Sequence, residues 1–163
     1  MDLQIALMLV QDGIVNGAIY ALMALALVLV FSVTRIIFIP QGEFVAYAAL
    51  AMAALQTGKS PALLWLLLVM CAVCLVVEGV RQARGAEVDW KSTLLWAVVV
   101  PALAAVMLLV VKPQAMLLQV VAVLLTVTPM GPLLYRLAYR PLADATVLIL
   151  LIVSVALHLA LVG

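Results

Sequence analysis

Hydrophobic residues run along this chain in long blocks, and the rare charges mark where the blocks end. The uncharged gaps 13–34, 60–77, 92–111, 113–135 and 145–163 hold 22, 18, 20, 23 and 19 residues. A helix needs about 20 apolar residues to cross a hydrocarbon core of about 30 Å. These five gaps therefore predict membrane-spanning helices, because open strands would leave backbone groups unpaired in lipid. A sixth gap, 44–58, has 15 residues and would reach only about 22 Å as a helix. Extending it back to Ile36 restores span length but encloses Glu43, with Pro40 and Gly42 just before it. Proline cannot continue a helical ladder, and glycine permits an abrupt turn. The segment 36–58 thus reads either as a span broken at Pro40-Gln41-Gly42, with a helix from about Glu43, or as an interfacial loop at 35–43 before a short tilted helix. The expected fold is all-α, a polytopic transmembrane helical bundle of about six spans with the second one broken.

Composition supports this and removes other classes. Hydrophobic residues make up 70% of the 163, charged residues 9%, and eight Lys/Arg against seven Asp/Glu leave a net charge of +1. No positive surplus exists for nucleic acid, and no disordered, collagenous or disulfide-scaffold chain has this make-up. With six spans, Arg35, Arg81, Arg84, Lys91, Arg136 and Arg140 fall on one side and Lys59 and Lys112 on the other. The side with excess Lys/Arg is cytoplasmic by rule, which puts the N-terminus outside. The start lacks a basic n-region, so the first span is expected to be retained. Organisation is read as one membrane domain over 1–163, with a solvated cytoplasmic loop at 78–92. Trp65, Trp90 and Trp96 stand near predicted span ends, where indole rings favour the interface.

Small and polar residues within the spans carry the candidate chemistry. Gly13, Gly17, Ala21 and Ala24 form a small-residue stripe on the first span, and Gly42, Ala46, Ala49 and Ala53 repeat it on the second. Such stripes let helix backbones approach closely, within the bundle or between two copies. Asn16 and Tyr20, one turn apart, should face the bundle or a watery path. Glu43 is expected at membrane depth, either in contact with solute or as the negative charge at a helix N-terminus. His158 is the sole histidine, with Ser154 one turn earlier. It reads as a hydrogen-bonded side chain or a proton relay, with no further ligands spaced for a metal. Cys71 and Cys74 lack the electropositive setting of a reactive thiol and read as small apolar fillers. No catalytic set is recognisable, so the chain is not read as an enzyme.

Three segments in order add a resemblance. Asn16-Gly17-Ala18-Ile19-Tyr20-Ala21-Leu22 leads to Gly42-Glu43-Phe44, and Tyr139-Arg140-Pro141-Leu142 follows several spans later. This order resembles the membrane permease subunits of branched-chain amino-acid ABC importers, the LivH-like type. The closer likeness covers about residues 11–50 and 133–146. The family usually has Asn-Phe-Ala-His before Gly-Glu-Phe, where this chain has Phe38-Ile39-Pro40-Gln41. It often has Thr and Gly at the positions of Ser154 and Ala156, and Ser at that of His158. Its members are almost twice as long, so the chain is expected to correspond to an N-terminal half ending before the segment that docks on the ATPase.

The resemblance implies a subunit of a bacterial inner-membrane importer for branched-chain amino acids or related small solutes. Its partners would be a second permease subunit, cytoplasmic ATP-binding subunits and a periplasmic solute-binding protein, with lipid around it. ATP would be used by those partners, leaving this chain without a cofactor. The solute-pathway candidates are then Asn16, Tyr20, Gln41, Gly42, Glu43, Ser154 and His158. Tyr139, Arg140, Pro141 and Leu142 form a cytoplasmic motif that contacts the ATPase or anchors a helix end. Two other readings use the same helices: a non-transporting membrane scaffold, or a small channel lined by Asn16, Tyr20 and His158.

Overall fold

The computed structural model describes residues 3–85, 89–111 and 115–163. Among them the chain is helical, with no strand. Six helices follow one another: α1 Leu3–Thr34, α2 Gln41–Gln56, α3 Leu63–Ala83, α4 Trp90–Leu109, α5 Met116–Leu142 and α6 Val147–Val162. Four of them, α1, α3, α4 and α5, are long and apolar enough to cross a membrane. The other two have 16 residues each. At about 1.5 Å per residue they reach about 24 Å, short of a full hydrocarbon core.

Backbone chemistry explains where the helices stop. At the end of α1 the Thr34 hydroxyl turns back to the Val30 carbonyl at 2.7 Å and accepts from Ile36 N–H at 3.2 Å. Arg35 takes the left-handed conformation, with φ of 57°, while its N–H reaches the Phe31 carbonyl. A non-glycine residue there costs about 1 kcal/mol or more, so the stop is sharp. Residues 35–40 are not helical, and α2 begins at Gln41, two residues before the expected start. Pro40 immediately precedes the helix, where its missing N–H breaks no helical bond. Its carbonyl accepts from Glu43 N–H at 3.1 Å, closing the first turn.

Contacts divide the chain into two compact units: residues up to Glu43 together with Ala145–Gly163, and Phe44–Asp144. In the first unit α1 has no buried residue at all. The Gln41 side chain donates to the Met23 carbonyl of α1 at 2.8 Å. Glu43 meets His158 of α6.

The second unit is built differently. Helices α3, α4 and α5 pack against one another. Leu64, Leu108 and Ala122 form a buried cluster, with Leu55, Ala105 and Met107 against it. On α3 the buried stripe runs Leu64, Leu67, Cys71, Cys74, Glu78, at helical spacing. Several contact positions are small: Ala51, Cys74, Ala97, Ala104 and Ala122 are all nearly fully buried. Lipid gives no hydrophobic drive between helices, so close approach and dispersion supply the attraction.

Both α4 and α5 contain wide π-type turns, at Leu95–Val99 and Tyr135–Tyr139. Val100 N–H reaches back five residues to the Leu95 carbonyl, and Arg140 N–H to the Tyr135 carbonyl. Each is followed at once by a proline, Pro101 or Pro141. A proline lacks the N–H that would hold the ordinary four-residue ladder, which favours a local widening.

Three sequence expectations change here. The 78–92 loop is shorter than expected: Glu78–Ala83 belong to α3, α4 begins at Trp90, and 86–88 lie outside the described residues. Glu78 is not solvated but 1% exposed. The small-residue stripe of α1 does not pack within this chain: Gly13, Gly17, Ala21 and Ala24 are exposed, and a Cβ on either glycine would meet nothing within 4 Å. The same holds for Ala46, Ala49 and Ala53 of α2, which face outward while Ala51 is buried. Spacing shows that small residues share a face; it does not show what covers the face.

Candidate functional site

The first polar constellation lies in the first unit and begins at the start of α2. Glu43 is in the first helical turn, where the exposed amide dipoles favour a negative charge. Its Oε1 lies 3.1 Å from His158 Nδ1, with the glutamate side chain 18% exposed and the histidine 37%. The approach is off the hydrogen-bonding line, so the contact gains most when the imidazole is protonated. Gln41, spent through its amide on the Met23 carbonyl, keeps its Oε1 buried without a hydrogen-bond partner. Ser154 is fully buried, and its hydroxyl donates to the Leu150 carbonyl at 3.0 Å.

Of the pathway residues expected from sequence, Gln41, Gly42, Glu43 and His158 therefore come from one small region. Gly42 needs no close approach, since a Cβ there would meet nothing within 4 Å. Asn16 and Tyr20 do not join them. Both are exposed on α1, Tyr20 at 71%. Their one-turn spacing puts them on a common face, and that face is one α1 buries against nothing in this chain.

The second constellation lies at one end of the α3–α4–α5 bundle. Glu78 closes the buried stripe of α3, and its Oε1 accepts from Arg140 Nη1 at 3.0 Å. Arg81, one turn on, lies 3.9 Å from the same oxygen, while Oε2 is buried without a hydrogen-bond partner. A carboxylate this deep is tolerated because a cation meets it; removing the cation would strand the charge. Tyr139 beside it is 2% exposed, so the Tyr-Arg-Pro-Leu segment ends α5 with one side chain in the core and one in an ion pair. Pro141 and Leu142 form its last tight turn, Pro141 outward and Leu142 half-buried.

Arg136, one turn before Arg140, donates from Nη1 to the Thr93 hydroxyl and from Nη2 to the Ser92 hydroxyl at 2.6 Å. Thr93 is itself fully buried and donates to the Asp89 carbonyl at 2.9 Å. The Asp89 carboxylate caps α4 by accepting from Ser92 N–H at 3.4 Å. A cavity of about 330 Å³ opens here, lined by Asp89, Ser92, Trp96, Tyr135, Arg136 and Arg140 among others.

Sequence reasoning missed Glu78, Asp89, Ser92 and Thr93. Glu78 was detectable, since it continues the Leu67, Cys71, Cys74 spacing one further turn. The hydroxyls carried no comparable signal. Cys71 and Cys74 lie in the buried stripe with free thiols. Among the described residues no three His, Cys, Asp or Glu side chains gather where an ion could be held. Comparison of the chain with family models, with curated proteins and with solved structures finds no match.

Proposed function

We propose that the chain is a membrane-spanning permease subunit of an ABC importer for branched-chain amino acids or related small solutes. In this reading all six helices enter the bilayer of a bacterial inner membrane, with α2 and α6 as the two short passes and the N-terminus outside. The observation that carries it is the placement of Gly42-Glu43-Phe44, the middle segment of the resemblance. It opens a short helix directly after an irregular stretch, and its carboxylate meets the histidine of another short helix. Transporter solute sites favour discontinuous helices, whose ends offer unpaired backbone groups and dipoles. Ionisable groups at membrane depth are costly and belong by default to a pathway. The Tyr139-Arg140-Pro141-Leu142 segment supports the reading from the other unit, since an Arg140 held by Glu78 gives a rigid helix end for an ATPase to press on.

The test is uptake in cells carrying the chain with its neighbouring importer genes. Glu43→Gln is expected to lower branched-chain amino-acid uptake at least about tenfold while the ATPase still co-purifies. Unaltered uptake in Glu43→Gln removes the pathway. Absence of any co-purifying ATPase removes the importer and leaves the scaffold.

A further inference from the structure

The Arg136 cavity is not used by the permease reading, and its charges do not balance locally. Arg136 offers five N–H donors. Two are taken by the hydroxyls of Ser92 and Thr93, which carry no charge. Among the described residues no carboxylate lies within 4 Å of its guanidinium: the carboxylate pairings there are Glu78 with Arg140 and Arg81, and Glu43 with His158. Asp89 lines the same cavity, but it is turned to the first turn of α4 through Ser92 N–H. A half-buried guanidinium fixed by two neutral hydroxyls, beside a second arginine, is a preset fork awaiting an anion. Arginine's planar donors suit a phosphate in particular.

The walls fit that ligand. Trp96 lies in the wide turn of α4, and Tyr135 and Arg136 in that of α5, so two widened helices flank the opening. Such turns recur at functional sites because they re-aim side chains. Aromatic rings beside arginines at helix ends mark the depth of lipid headgroups. Basic pockets between transmembrane helices take anionic headgroups at that depth.

We infer that the cavity between α4 and α5 is a phosphate-binding site, with Arg136 as its principal ligand, Arg140 and Ser92 as secondary ones, and Asp89 limiting its affinity. The phosphate is that of an anionic lipid headgroup or of a soluble phosphate, and the two are separable. The full chain, purified in neutral detergent, is titrated with phosphatidylglycerol, with diacylglycerol as the phosphate-free control, and retained lipid is counted by native mass spectrometry. Inorganic phosphate is titrated in parallel and followed by phosphorus NMR line broadening.

The wild-type chain should retain phosphatidylglycerol and not diacylglycerol. Arg136→Gln should weaken retention about fivefold or more, the equivalent of one lost interfacial cation. Asp89→Asn should strengthen it, because asparagine caps a helix as well as aspartate while removing the repelling charge. That gain cannot come from a misfolded protein, so it decides the matter if Arg136→Gln does not fold. Binding of inorganic phosphate alone, with the same response to both substitutions, assigns the site to a soluble ligand. Equal retention of both lipids, no retention of either probe, or binding unmoved by both substitutions overturns the inference.

Discussion

The two units of this chain hold themselves together by different means. The Phe44–Asp144 unit is a packed bundle with small residues at its contacts and a buried ion pair at one end. The unit made of Glu43 and the residues before it with Ala145–Gly163 has a first helix that buries nothing, and its visible ties are the polar contacts of Gln41 and Glu43. Both carry small-residue stripes, but only the second covers its own. In lipid, where apolar surface gains nothing by leaving the solvent, a glycine stripe stabilises only when another backbone lies on it.

Substitutions that contrast the units sharpen or break this comparison. The largest effect is expected from Arg140→Ala, which leaves Glu78 charged and buried. Loss of a buried partner costs about 3–5 kcal/mol, and the partial exposure of Arg140 puts it at the low end. Reversible unfolding in sodium dodecyl sulfate measures it, and a loss no larger than that of an exposed pair would show that the bundle does not depend on this contact. Next is overpacking: Ala104→Leu and Ala122→Leu, at fully buried positions, should each cost about 1–3 kcal/mol in the same assay.

In the other unit, His158→Leu should cost about 1 kcal/mol or less, since the Glu43 contact is partly exposed. A larger loss would make the pair a structural keystone and erase the contrast. The smallest effect belongs to Gly17→Leu on α1, within about 0.5 kcal/mol for the isolated chain. A Gly17→Leu as damaging as Ala104→Leu would mean that α1 is clamped after all.

Much of the helical plan was legible because charges are so costly in lipid that they punctuate the chain. The gaps between Lys59 and Glu78, and between Lys112 and Arg136, lie largely within α3 and α5. Punctuation also misled. Asp12 was taken as a boundary, yet α1 runs through it from Leu3 to Thr34. Glu78 was taken as the start of a loop, yet it is the last member of a buried stripe. A charge marks an end only when no opposite charge comes to meet it, and the partner of Glu78 lies 62 residues away. The Pro40 break was readable because proline acts locally. The outward aim of Asn16, Tyr20 and the α1 glycines was not, because orientation depends on neighbours that periodicity does not name. The hydroxyls around Arg136 were invisible for the same reason.

The wide turns in α4 and α5 carry a consequence for anyone comparing or editing this chain. Each inserts one surplus residue into the helical count, and one residue corresponds to about 100° of rotation. Everything beyond Val99 or Tyr139 is therefore out of phase with what comes before. A helical wheel drawn across either point mixes two faces into one. Deleting a single residue from 95–99 would leave composition almost untouched and swing Trp96 and Ser92 around the axis relative to Ala104, a change that no point substitution can imitate.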